Sequence, residues 1–299
     1  MKILMGCNIK LLCEIEVICE LLSKLSTFSQ DKKILGNIHI LKTKGPNTLE
    51  IDEESDLLIM NIDQNFMRDF DKNQWIIIQQ ILRFLSFLNI KYQGKYILLH
   101  ASCSIKDDRA FLFSDYYNNT GKTTASVLLG IENTYLEDEF VILNRQNLEL
   151  NSIGINESIH LRTDTITYLK NNYSDILDNI EQECFISPEK LKMMKVNQHR
   201  LDHLVVPIRK SQNFCKYDNE VLIEHLCFSH LIKLLYRGYD RFDVFSEILN
   251  SDENFFKLIK NMVSEYPIDD VKEKIIAKIK ITFLEYDSFD EMVQKVKRL

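Results

Sequence analysis

The segment that most narrows what this chain can become runs from Phe111 to Leu129. Phe111-Leu112-Phe113 reads as a strand, a polar loop follows, Gly121-Lys122-Thr123-Thr124 closes the loop, and Ala125-Ser126-Val127-Leu128-Leu129 reads as a helix ending before Gly130. That order gives Gly-Lys-Thr a physical meaning that the tripeptide lacks elsewhere. The first N–H groups of a helix have no partner within it, so they point toward an approaching anion, and the helix dipole adds to their pull. In such a phosphate loop Lys122 reaches the terminal phosphates and the Thr123 hydroxyl meets Mg²⁺. Asn118, Asn119, Thr120, Gly121, Lys122, Thr123 and Thr124 are therefore the candidate nucleotide cradle.

The loop departs from the usual pattern in its glycines. A phosphate loop has a further glycine five residues before its Gly-Lys, and Tyr116 stands there. The chain holds 8 glycines in 299 residues, less than half the usual share of roughly 7%, and of these only Gly121 falls in the loop. Asp115, Asn118 and Asn119 must then adopt backbone angles normally left to glycine. Asn and Asp enter the left-handed region more readily than other residues with side chains. An unusual loop shape and a weaker nucleotide affinity are the expectation.

Around this segment stand His100-Ala101-Ser102 on a strand from Tyr96, a polar hairpin at Lys106-Asp107-Asp108-Arg109, and Leu136-Glu137-Asp138-Glu139 leading into Phe140-Val141-Ile142-Leu143. Taken together, these motifs resemble the catalytic domain of HPr kinase/phosphorylase, and more closely the shorter HPr-kinase-related proteins that lack its separate N-terminal domain. Asn151-Ser152-Ile153-Gly154-Ile155 and Ile159-His160-Leu161-Arg162 are similar to the segment that follows in those relatives. The likeness is specific over residues 96–170 and looser elsewhere. It implies an α/β (α+β) fold, the P-loop core shared with phosphoenolpyruvate carboxykinases rather than the doubly wound sheet of ordinary P-loop ATPases. It also implies a kinase that uses ATP, or another nucleoside triphosphate, with Mg²⁺ to phosphorylate a serine-type hydroxyl of a protein, peptide or small molecule.

Matched positions carry the implied roles. Asp138 corresponds to the first acid of the family's acidic pair, the general base. Glu139 is the second acid, longer than the family's Asp, and with Thr123 would ligate the metal through hard oxygen donors. His100 corresponds to the histidine near the transferred phosphate, and Arg162 would offer a second cation for transition-state charge. Each has a plainer reading: a solvated strand entrance for Glu137-Asp138-Glu139, a hydrogen-bonded core histidine for His100, a surface ion pair for Arg162.

The rest of the chain reads as three regions: a β-rich N-terminal subdomain with a helix (1–94), a nucleotide-binding core (95–218) and a helical C-terminal region (219–299). Gly36 to Asp63 reads as a meander, Trp75–Ile90 as a helix with its apolar residues mostly on one side, and Val221–Tyr236, Val244–Leu249, Phe255–Ser264 and Val271–Phe283 as the closing helices. A net charge of −7 argues against nucleic-acid coating. Seven cysteines without a CxxC pair, and no secretory signal, point to reduced thiols in the cytoplasm. Trp75–Ile90 is too short and polar to span a bilayer, so no membrane association is expected. His199-x3-His203 stands at helical spacing but has no accompanying zinc-site pattern. A homo-oligomer is an expectation from the resemblance alone. The competing function is a nucleotide-binding or scaffold protein that kept the fold and lost turnover. A carboxykinase-like reaction on a small acid would require further basic clamps, and the sequence singles out none.

Overall fold

The computed structural model describes residues 2–23, 34–63, 66, 70–114, 120–153, 159–173, 184–210, 218–236 and 252–299. Within these the chain is a mixture of sheets and helices. Strands β1 (Lys2–Leu4) and β2 (Cys7–Cys13), helix α1 (Glu16–Ser23), strands β3 (Leu35–Thr43), β4 (Thr48–Asp52) and β5 (Leu57–Asp63) and helix α2 (Phe70–Lys91) come first. Strands β6 (Tyr96–Lys106) and β7 (Arg109–Ser114), helix α3 (Lys122–Gly130), and strands β8 (Thr134–Glu137), β9 (Phe140–Asn144) and β10 (Glu149–Ser152) follow. Then come β11 (Ile159–Leu161), α4 (Thr163–Asn172), β12 (Cys184–Ile186), β13 (Met194–Lys195) and β14 (Gln198–Arg209). Helices α5 (Asn219–Tyr236), α6 (Asp252–Glu265) and α7 (Asp269–Lys278), strand β15 (Lys280–Tyr286) and helix α8 (Phe289–Lys297) close the chain.

These elements group into two units, Met1–Leu98 with Cys227–Ile268, and Leu99–Leu226 with Asp269–Leu299. The three regions expected from sequence divide the chain differently, because residues 219–299 are shared between the units and are not one helical tail. The segment expected as a helix through Phe283 breaks after Lys278, and β15 runs parallel to β14. Its β-branched and aromatic run, Ile281-Thr282-Phe283-Leu284, suits a pleated, half-buried surface. His199 and His203 likewise lie on β14 rather than on a helix. The Val244–Leu249 helix lies outside the described residues.

In the first unit five strands run in the order β1-β2-β3-β5-β4. The expected meander is not formed: β3 pairs in parallel with both β2 and β5, and β4 sits at the edge, antiparallel to β5. Helix α2 is buried on every side over Ile77–Ile90 apart from Gln79, with Gln80, Arg83, Ser86 and Asn89 buried alongside its apolar residues. The one-sided pattern expected there therefore gives way to a helix enclosed all round. Its polar groups are used internally: Asn89 Nδ2 donates to the carbonyls of Leu85 and Met5 at 2.9 and 3.0 Å, and Ser86 Oγ accepts from the Leu98 N–H at 3.0 Å.

The second unit is built on an eight-stranded sheet ordered β13-β8-β6-β7-β14-β10-β9, with β15 beside β14 and a further pairing of β9 with β6. Strands β7, β14 and β15 run in parallel, so all three end on the same side. The register sets Phe113 opposite Val205, and Arg209 opposite Tyr286. Helix α3 follows β7 and buries Ala125, Val127, Leu128 and Leu129 in a cluster with Phe111, Phe113 and Val205, while Met292, Val293 and Val296 of α8 fill the same cluster. At roughly 1.5–3 kcal/mol for each large apolar side chain withdrawn from water, this cluster anchors the start of α3 firmly. Open α/β sheets bind ligands beyond the carboxyl ends of their parallel strands, which is where α3 begins.

Candidate functional site

The start of α3 is shaped by Gly121. It caps the helix at φ 84°, ψ 20°, in the left-handed region, with no side chain capping the first turn. The first intrahelical hydrogen bond runs from the Ala125 N–H to the Gly121 carbonyl at 2.8 Å, so the N–H groups of Lys122, Thr123 and Thr124 precede it. A residue with a Cβ is strained at this φ, and that Cβ would meet Met292 Sδ at 3.0 Å and the Tyr286 hydroxyl at 3.1 Å. The Tyr286 hydroxyl also donates to the Thr120 carbonyl at 2.7 Å. Tyr286 and Met292 thus stand against the residues that lead into α3. Thr124 Oγ1 and Thr165 Oγ1 lie 2.8 Å apart, tying α3 to α4.

A cavity of about 630 Å³ opens in front of this turn. Of the residues expected at the site, His100, Gly121, Lys122, Thr123, Thr124, Glu139 and Arg162 line it. Thr120 is buried, and Asn118 and Asn119 lie outside the described residues. Lys122 Nζ stands 2.9 Å from His100 Nε2; an ammonium can only donate, so the imidazole accepts there. Arg162, on the residue preceding α4, is exposed at the cavity mouth.

Asp138 is the buried member of the site. It is 1% exposed, and its Oδ1 accepts from Thr123 Oγ1 at 3.0 Å. Burial, and then the neighbouring Glu139 charge, push its carboxyl up from 3.8 to about 6, against the downward pull of Lys122 and the Thr123 hydrogen bond. Glu137 is fully buried and pushed up from 4.5 to about 8 by burial, although it accepts from Ser152 Oγ at 2.6 Å and the Ile153 N–H at 3.2 Å. A solvated strand entrance is thereby excluded for both. Glu139 forms the apex of a three-residue turn at φ 65°, in which the Phe140 N–H bonds back to the Asp138 carbonyl at 2.8 Å. Strain of this kind in a residue other than glycine collects at functional sites, and here Asp138 is buried while Glu139 lines the cavity.

Thr123 and Glu139, which both line the cavity, carry hard oxygen donors of the kind that suits Mg²⁺. Among the described residues no group of three or more His, Cys, Asp or Glu side chains could hold a metal by itself. No helix among the described residues is long and apolar enough to cross a membrane.

Sequence reasoning gave no role to Tyr286, Arg209, Asp164, Phe289 and Met292, all of which line the cavity. Tyr286, Phe289 and Met292 come from a segment read in part as helix, and nothing local in the sequence ties them to residue 121. Arg209 carried one usable signal, a cation at the end of the apolar run Leu204–Ile208.

Comparison with protein-family models and with curated proteins finds no match. Among solved structures, the HPr(Ser) kinase/phosphatase from Coxiella burnetii is similar at a TM-score of 0.27 and 17% identity, over 40% of this chain and 70% of that one. A similarity of that size carries no conclusion about fold or activity, so the reading of the site stands on its own residues.

Proposed function

We propose that this chain is a kinase that moves the terminal phosphoryl group of ATP, or of another nucleoside triphosphate, to a hydroxyl of a protein, peptide or small molecule. One observation carries the reading. Lys122 and the first turn of α3 face one cavity, and directly behind Thr123, whose hydroxyl donates to it, lies the buried carboxylate of Asp138 with its raised pKa. Phosphoryl transfer asks a protein chiefly for positioning and charge neutralisation, and these groups supply both.

Lys122 and the N–H groups of the first turn bind the β- and γ-phosphates. Thr123 and Glu139 would hold Mg²⁺, which supplies charge neutralisation on those phosphates. Asp138 takes the proton of the acceptor hydroxyl as its oxygen bonds to the γ-phosphorus. The bond from that phosphorus to the β–γ bridging oxygen breaks, and the nucleoside diphosphate leaves. A base with a pKa near 6 is ionised at neutral pH yet still basic enough to accept that proton. His100 holds Lys122 in place before the nucleotide arrives.

A second reading is favoured by one observation: Asp138 is buried and does not itself line the cavity. On that reading the chain binds a nucleotide and does not turn it over. The two separate when purified protein is mixed with Mg²⁺ and ATP labelled at the γ-phosphate, alongside Lys122→Ala and Asp138→Asn. A kinase gives transfer or hydrolysis that falls by about 10²-fold or more in Asp138→Asn while nucleotide binding survives. A binding protein gives the same negligible turnover in all three.

A further inference from the structure

Three cationic side chains, Lys122, Arg162 and Arg209, line the cavity together with His100 and His160 and the carboxylates of Glu139 and Asp164. Lys122 lies at the start of α3, whereas Arg209, Arg162 and His160 come from other elements: the end of β14, the residue before α4, and β11. Arg209 makes no ion pair among the described residues, in a chain with 44 acidic and 37 basic side chains. The acid nearest to these cations in sequence is Asp164. Its Oδ1 accepts from the Thr165 N–H at 2.8 Å, and Asp164 lines the cavity with them. The backbone of Arg209 is set by sheet register opposite Tyr286, the residue that braces the phosphate loop. The cation is therefore carried by the same rigid layer as the loop. A planar guanidinium binds carboxylate or phosphate through two parallel hydrogen bonds, and a cavity of about 630 Å³ is of the size that encloses small organic ligands.

We propose that Arg209, with Arg162 and His160, forms a second anion subsite in this cavity, which takes the carboxylate or phosphate of a small hydroxyl-bearing acceptor. The assignment rests on the kinase reading. It deepens that reading by making the acceptor an anion, held by one group while its hydroxyl is presented to Asp138. These are the basic clamps for a small acid that the sequence did not single out.

The test is equilibrium titration of the full chain with glycerol, D-glycerate and glycerol 3-phosphate, each with and without a saturating, non-hydrolysable ATP analogue and Mg²⁺. Binding of D-glycerate or glycerol 3-phosphate to the analogue-loaded protein, with none for glycerol, is expected, and which anion binds more tightly identifies the acceptor's group. Arg209→Ala should weaken that binding by about 10-fold or more and leave analogue affinity within about 2-fold; Arg209→Lys should restore part of it. Two results overturn the proposal: neither anion binds the loaded protein, or Arg209→Ala weakens the analogue as much as the anion, which would make Arg209 a nucleotide contact. If the analogue itself does not bind, the kinase reading fails. The anion subsite then stands or falls separately, on whether anion binding to the free protein depends on Arg209.

Discussion

Tyr286 and Thr120 are 166 residues apart in sequence, and the phenol of one donates to the carbonyl of the other at 2.7 Å. This bond joins the final strand of the sheet to the residue just before Gly121, on which the chain turns into α3. Removing only the hydroxyl, in Tyr286→Phe, should therefore loosen the loop while keeping the ring packed. A net loss near 1 kcal/mol corresponds to an ATP-analogue affinity weakened by about 5-fold, with the denaturation midpoint almost unchanged. A large drop in stability with unchanged affinity would make the bond purely structural.

Gly121→Ala tests the same turn from the other side. Its φ of 84° costs a residue with a side chain about 1–2 kcal/mol, and the new methyl would stand 3.0 Å from Met292 Sδ and 3.1 Å from the Tyr286 hydroxyl. The variant should fold with reduced stability and lose measurable nucleotide binding. Chemical denaturation and calorimetric titration read the two effects separately.

Asp138 gives the pH dependence of turnover. On the kinase reading the base works ionised; its carboxyl sits at about 6 in the metal-free site, raised by burial and by the Glu139 charge, and Mg²⁺ held on Glu139 lowers it from there. The rate should climb roughly tenfold per pH unit below an inflection at or under pH 6 and flatten above it. Asp138→Asn should remove both the activity and the inflection, as a stopped assay over pH 4.5–8 would register.

Glu137 gives the pH dependence of stability. Its folded pKa, about 8, lies above the ordinary 4.5 because burial penalises the charged form. Its contribution to stability is thus fully present below pH 4.5 and is lost as pH rises through 8; the raised carboxyl of Asp138 acts in the same direction up to about 6. Glu137→Gln keeps a carbonyl for Ser152 and Ile153 and cannot ionise. Between pH 5 and pH 8.5 the wild type should lose about 3–4 kcal/mol more than this variant, at about 1.4 kcal/mol per pKa unit. Urea midpoints at the two pH values measure the difference.

The parts of this site written locally were legible in the sequence. The strand ending at Ser114 and the helix starting at Lys122 needed only hydrophobic periodicity and the Gly-Lys-Thr signal, and His100, Glu139 and Arg162 do line the cavity at the start of that helix. What failed depended on distant pairing. The helix expected through Phe283 became β15 because β14 offered it a parallel edge from His203 to Arg209, and that edge is what brings Tyr286 and Met292 against the residues that lead into α3. The acidic run gave no sign of which member would be buried. In the structure Glu137 and Asp138 are buried, and Glu139, at a φ of 65°, lines the cavity. In the first unit β3 took β2 and β5 as parallel neighbours, a choice that the short connections around Gly45 and Asp56 did not reveal. Of the glycine-poor loop, Gly121 adopts the left-handed φ of 84° that favours glycine, while Asp115, Asn118 and Asn119 lie outside the described residues.

Calorimetric titration of the full chain with Mg²⁺ and a non-hydrolysable ATP analogue, wild type beside Lys122→Ala, addresses the nucleotide site most directly. Saturable one-to-one binding, weakened about 10-fold or more by the loss of the ammonium, is the expected result. No binding by a folded wild type, or equal binding by the two proteins, would contradict it.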